Sequence, residues 1–164
     1  MHILLYERNA YTQSNLTNAL KEAGHKISTF QYIFNDKNKD DDFLSSFIKL
    51  LKATAYDAVF SINYYPLLAE GCYRTNTKYI SWSYDCPLDV RNIEDTLGFS
   101  TNYVFLFDKL QASKYLDMGF ENIYHLPLAV NTKRLDKMKP TAAHVSKYGG
   151  DAAFVGSLYE SVYP

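Results

Sequence analysis

The sequence predicts a doubly wound α/β domain on a mainly parallel sheet. Two observations carry that expectation. Short apolar runs suited to strands recur along the chain, and most are separated by one segment with apolar residues at helical spacing. Strands joined through single helices need crossover connections, which make the sheet parallel and place helices on both faces. The chain's 164 residues match the common size of one domain and allow a sizeable core.

The elements follow in order. "HILLY" (2–6) is an apolar run fit for a strand buried on both faces. Leu16, Ala19, Leu20 and Ala23 recur at helical spacing, and Gly24 stands where a left-handed cap ends that helix. "KISTFQY" (26–32) is a second strand, followed by the polar loop "NDKNKDDD" and a helix showing Leu44, Phe47, Ile48 and Leu51 on one face. "YDAVFSIN" (56–63) is the third strand. Pro66 suits the first turn of the next helix, because its missing N–H would be unpaired there anyway. "KYISW" and "NYVFLF" are strands four and five, Lys109 to Gly119 spans another helix, and "NIYHLPL" (122–128) is strand six. The result is a Rossmann-like domain over 1–130. A polar linker is expected over 131–150, and residues 151–164 open with an apolar strand and Gly-Ser. That last strand has no room for its own helix, so the chain is expected to be a fragment that stops at the start of a second domain.

Composition excludes several classes. With 17 basic and 18 acidic residues, nothing suggests a nucleic-acid surface or a polybasic membrane anchor. "MHILLYERN" lacks the basic start and apolar length of a signal peptide, and no run is long enough for a transmembrane helix. The expected location is the cytoplasm, with Cys72 and Cys86 as free thiols. The fifteen tyrosines have two readings, genomic bias or a surface for stacking sugar rings.

The usual signatures are missing. The loop after strand one reads "ERNAYTQS" in place of a G-x-G-x-x-G fingerprint, and there is no phosphate loop, zinc spacing or G-x-S-x-G elbow. A receiver domain wants acids at the ends of strands one and three, where this chain has Glu7 and Asn63. "DDD" (40–42) reads better as a helix N-terminus than as a metal site.

Ligands of open parallel sheets bind beyond the carboxyl ends of the strands, where strand order reverses. That rule selects Glu7–Arg8–Asn9, Asn63–Tyr64–Tyr65 and Ser83–Tyr84–Asp85. These loops offer carboxylates, amides, an arginine and aromatic faces, a mixture that recognises sugars. Turn-making before Pro66 and Pro87 is the plain alternative, favoured for Asn63 and level with function for Asp85. His125, before Pro127, lies near the expected cleft, and a structural role is favoured for it.

The segments "LLYERNAYTQSNLTNALKEAGH", "SWSYDCPL", "FLFDK", "HLPLAVNTKRLDK" and "DAAFVGSLYES" resemble a bacterial glycosyltransferase family of the spore-maturation, family 1/4-like type. The resemblance runs over nearly the whole chain. It implies the N-terminal half of a two-domain GT-B fold, which binds the acceptor, while a C-terminal half binds the nucleotide-sugar donor. In that reading Asp85 is the general base, raised toward a useful pKa by burial near Trp82 and Tyr84. Asn9, Asn63, Tyr64, Tyr84 and His125 contact the acceptor, and Gly156 and Ser157 lie near the donor diphosphate. The resemblance implies no metal and no cofactor beyond the nucleotide-sugar as co-substrate. The acceptor is a glycan, a protein or cell-surface material, and the fragment alone is expected to be inactive. The alternatives are a non-catalytic α/β module that binds a glycan or metabolite through the same loops, and a structural or oligomerisation domain whose tyrosines pack an interface.

Overall fold

The structure is a computed structural model. It describes residues 1–8, 10, 12–36, 38–88 and 90–154. The chain divides into two compact units, Met1–Ala129 and Val130–Pro164.

The first unit is built on one six-stranded sheet of order β2-β1-β3-β4-β5-β6, in which every pairing is parallel. The strands are β1 (His2–Glu7), β2 (Lys26–Gln31), β3 (Ala58–Ile62), β4 (Lys78–Ser83), β5 (Asn102–Leu106) and β6 (Ile123–His125). Between them run α1 (Gln13–Glu22), α2 (Asp41–Ala53), α3 (Pro66–Arg74), α4 (Glu94–Leu97) and α5 (Lys109–Asp117). This is the Rossmann-like, doubly wound α/β arrangement. β1 and β3 lie mid-sheet, so their apolar runs are buried on both faces.

Side-chain alternation divides the core in two. Leu4 and Tyr6 of β1, Val59 of β3, Tyr79 of β4 and Val104 and Leu106 of β5 point to one face. There they join residues of α2, α3, α4 and α5 in the larger cluster. Ile3, Leu5 and Phe60 point to the other face, where Leu16 and Leu20 of α1 cover them. Gly71 of α3 sits where a Cβ would overlap the buried Phe47 ring, so α3 packs tightly against α2 there.

Local chemistry sets the element boundaries. Gly24 takes φ +83°, the left-handed conformation that ends α1. Asp40 caps α2: one carboxylate oxygen accepts from the Phe43 N–H at 2.9 Å and the other from the Asn35 N–H at 3.0 Å. Those bonds, the Phe43 one first, hold the Asp40 carboxyl below its usual range. β6 stops at His125, short of the expected 128, because Pro127 has no N–H to extend the ladder. Among the described residues, no helix is long and apolar enough to cross a membrane.

In the second unit, the stretch expected as a linker carries α6 (Thr132–Leu135) and α7 (Ala142–Tyr148). Their starts are fixed by the Asn131 side chain accepting from the Arg134 N–H and the Thr141 hydroxyl accepting from the His144 N–H. Residues 151–154 form no strand, and the rest of the strand expected there lies outside the described residues.

Candidate functional site at the β1–β3 switch point

Strand order reverses between β1 and β3: the chain leaves β1 toward β2 on one side and returns across to β3 on the other. The crevice beyond their carboxyl ends is where such sheets take ligands. A cleft of about 120 Å³ lies there, lined among others by Arg8, Asn63, Tyr65, Asp85, Leu88 and Val90. A wider groove of about 540 Å³ runs along α1 from Glu7 to Asn18. Among the described residues, Glu7 is the one charged residue lining that groove, and its carboxylate accepts from Gln31 at 3.2 Å. The smaller cleft has the richer chemistry.

Asn63 organises the cleft. It ends β3 at φ +65°, a conformation asparagine tolerates better than most residues. Its amide nitrogen donates to Asp85 Oδ2 at 2.6 Å. Its amide oxygen accepts from the N–H groups of Tyr84 at 3.1 Å and Asp85 at 3.4 Å. One side chain therefore ties the loop after β3 to the loop after β4, which also contains a cis Cys86–Pro87 peptide.

The turn is also held from beneath. Tyr79 is fully buried, and its hydroxyl lies 2.7 Å from Ser61 Oγ. Ser61 Oγ donates to the Asn63 carbonyl at 2.6 Å, and the Tyr65 N–H donates to the Tyr79 hydroxyl at 2.9 Å. Each hydroxyl has one proton. With the Ser61 proton on Asn63, the Tyr79 proton points at Ser61 and its lone pair faces Tyr65. The chain is directional, from Tyr65 through Tyr79 and Ser61 to Asn63.

Among the described residues, two opposite charges line the cleft. The exposed Arg8 guanidinium lies 6.0 Å from the centroid of the Tyr65 ring. Burial pushes the Tyr65 phenol above its ordinary range, while the Arg8 charge and hydrogen bond pull it back. Asp85 is exposed as well, and it is held by Asn63. Among the described residues, the one ion pair within bonding distance is Arg74–Glu70 on α3.

The expected site residues separate into groups. Asn63, Tyr84 and Asp85 come together as expected from their loops. Asp85 is not buried against Trp82, because alternation sends Trp82 to the α1 side, in register with Ile62 and Phe105. Tyr64 also lines the cleft, but it is 2% exposed and spends its hydroxyl on Thr96 at 2.9 Å, so it offers the cleft little of its ring. The ring placed against Arg8 is its neighbour Tyr65. His125 ends β6, three strands from β3, and its Nε2 lies 3.1 Å from the Phe107 carbonyl oxygen. At ~4.8 Å per strand it is well away from Asn63. Asn9, Gly156 and Ser157 lie outside the described residues. Of the "DDD" run, Asp40 is taken up by the α2 cap.

The strand-end rule reached Tyr65 only as part of its loop, with Tyr64 taken as the acceptor contact, and the sequence did not single out Tyr79 or Ser61. Their roles depend on strand register, and the only signal was polar residues inside apolar strands. The tyrosine-rich composition now has a partial account, since Tyr6, Tyr64, Tyr79 and Tyr115 fill the core. Cys72 and Cys86 are free, the first buried in α3 and the second exposed.

Comparison with protein families, characterised proteins and solved structures gave no match. The fold and the cleft define a doubly wound α/β domain with a charged, aromatic pocket at its switch point.

Proposed function

We propose that this chain is the acceptor-side domain of a glycosyltransferase and that the acceptor occupies the switch-point cleft. The observation that supports this most is the Asn63–Asp85 clamp, which holds a carboxylate at the mouth of a cleft that also contains an aromatic ring. In this reading Tyr65 covers a C–H face of the acceptor and Asn63 fixes the direction of Asp85. An acceptor hydroxyl donates its proton to Asp85 as its oxygen attacks the anomeric carbon of the nucleotide-sugar. The bond from that carbon to the diphosphate oxygen breaks, and the nucleoside diphosphate leaves with the electron pair. This is the inverting course. In this reading a second domain holds the donor, as the family resemblance implies.

A second reading, a non-catalytic glycan- or metabolite-binding module, draws on the exposure of Asp85. An open carboxylate serves to orient a ligand hydroxyl as readily as to take its proton.

Turnover of a nucleotide-sugar panel by the complete polypeptide its gene encodes, wild type and Asp85→Asn, separates the two. The transferase reading expects hydrolysis or transfer that falls roughly 100-fold or more in the variant. Turnover of no nucleotide-sugar would overturn it. Ligand binding without turnover would leave the binding module.

A further inference from the structure

We infer that the switch-point cleft is built for a ligand end that carries an oxyanion beside a hydroxyl: Arg8 receives the oxyanion and Asp85 the hydroxyl. The inference rests on reading this cleft as the ligand site, and it does not require that transfer occurs there.

Opposite charges that line one small cleft would ordinarily meet. Here each is tied to a neutral partner on its own side. Asp85 accepts from the Asn63 amide at 2.6 Å, and Asn63 is itself fixed by Ser61 and by two backbone N–H groups. Arg8 lies against the Tyr65 ring at 6.0 Å, and Tyr65 is anchored through its N–H to the buried Tyr79. Neither charge forms an ion pair with a described residue. The cleft therefore presents a planar cationic donor and an anionic acceptor, both with capacity left for a ligand. A guanidinium fork matches the paired oxygens of phosphate or carboxylate. A carboxylate accepts from a hydroxyl and repels a second anion, so it sets which end of the ligand lies where.

Size narrows the class. About 120 Å³ is small beside the ~300–1,000 Å³ of pockets that enclose a drug-sized molecule. It suits one terminal group, such as a phosphorylated or carboxylated sugar end, with the remainder of the ligand outside. Phosphate and carboxylate share this chemistry, and the choice between them is left to measurement.

The test is a titration of the isotope-labelled chain, followed through backbone amide shifts, with inorganic phosphate, glucuronate and uncharged glucose. The expected result is weak, saturable binding of phosphate, glucuronate or both, with shifts at Arg8, Asn63, Tyr65 and Asp85. The tighter of the two names the oxyanion, and glucose should be at least roughly tenfold weaker. Arg8→Gln should abolish the shifts, and Arg8→Lys, which keeps the charge without the fork, should retain part of them. Asp85→Asn should tighten phosphate about twofold by removing a like charge. Well-dispersed spectra of both Arg8 variants establish that they fold.

No saturable shift in the cleft from either anion, or shifts that survive Arg8→Gln, would overturn the inference. Turnover of a nucleotide-sugar without anion binding would leave the transferase reading standing and remove this one. Arg8-dependent anion binding in a protein without turnover would do the reverse.

Discussion

Asn63 holds Asp85: its amide nitrogen donates to Asp85 Oδ2 at 2.6 Å while its amide oxygen receives the Tyr84 and Asp85 N–H groups. Sequence reading weighed turn-making against function for these two residues. In the structure the residue that makes the turn is also the one that aims the carboxylate. Its φ of +65° gives the backbone a separable share of the work.

That separation is measurable. Asn63→Gly keeps the left-handed backbone without strain and loses the side-chain bonds, whereas Asn63→Ala loses both. Urea unfolding should show the alanine variant less stable than the glycine variant by about 1 kcal/mol, with similar slopes. Equal midpoints would show that the left-handed conformation carries no cost.

The buried relay beneath the turn gives a second expectation. Tyr79→Phe leaves the Tyr65 N–H without its acceptor and the Ser61 oxygen without the proton it receives, while Ser61 keeps its bond to the Asn63 carbonyl. The cost should be about 1–3 kcal/mol in unfolding free energy. Hydrogen exchange at the Tyr65 amide should rise along with it. Unchanged stability and unchanged Tyr65 protection would mean that the relay does not support the site.

Alkaline conditions should act on the core. Burial, the first cause in each case, pushes the phenols of Tyr6, Tyr64 and Tyr79 above the ordinary value of 10.0. Above that pH the unfolded chain loses these protons while the folded chain keeps them, so the unfolded state is favoured. Their contribution is complete below about pH 10 and is lost progressively above it. Melting temperatures followed from neutral pH into this range should fall beyond that point. A flat profile, with all tyrosines ionising together near pH 10 in the native state, would contradict the burial account.

The parts legible in the sequence were those that depend on local pattern. The apolar runs gave β1 to β6, Gly24 marked the end of α1, the acids before Phe43 marked the start of α2, and the strand-end rule picked the loops of Asn63 and Asp85. Side-chain direction past a strand end was not legible. Once Asn63 turns left-handed, alternation no longer says which of Tyr64 and Tyr65 faces inward. Trp82 was grouped with Asp85 because they are near in sequence, yet alternation within β4 sends the ring to the opposite face. Tyr79 and Ser61 meet only through the register of β3 with β4, which a single sequence does not print. The short helices α4, α6 and α7 have too few residues to show a helical period. The last two rest on single capping residues, Asn131 and Thr141.

The central claim is that this domain binds the acceptor and leaves the nucleotide-sugar to another. Thermal unfolding of the 164-residue chain and of the complete polypeptide its gene encodes, each with a nucleotide-sugar panel, tests it most directly. A ligand at a hundred times its dissociation constant stabilises the state it binds by about 2.7 kcal/mol, a shift easily read. The account predicts that shift in the complete polypeptide and none in the 164-residue chain. Stabilisation of the chain by itself would contradict the division of labour, and stabilisation of neither would contradict the transferase.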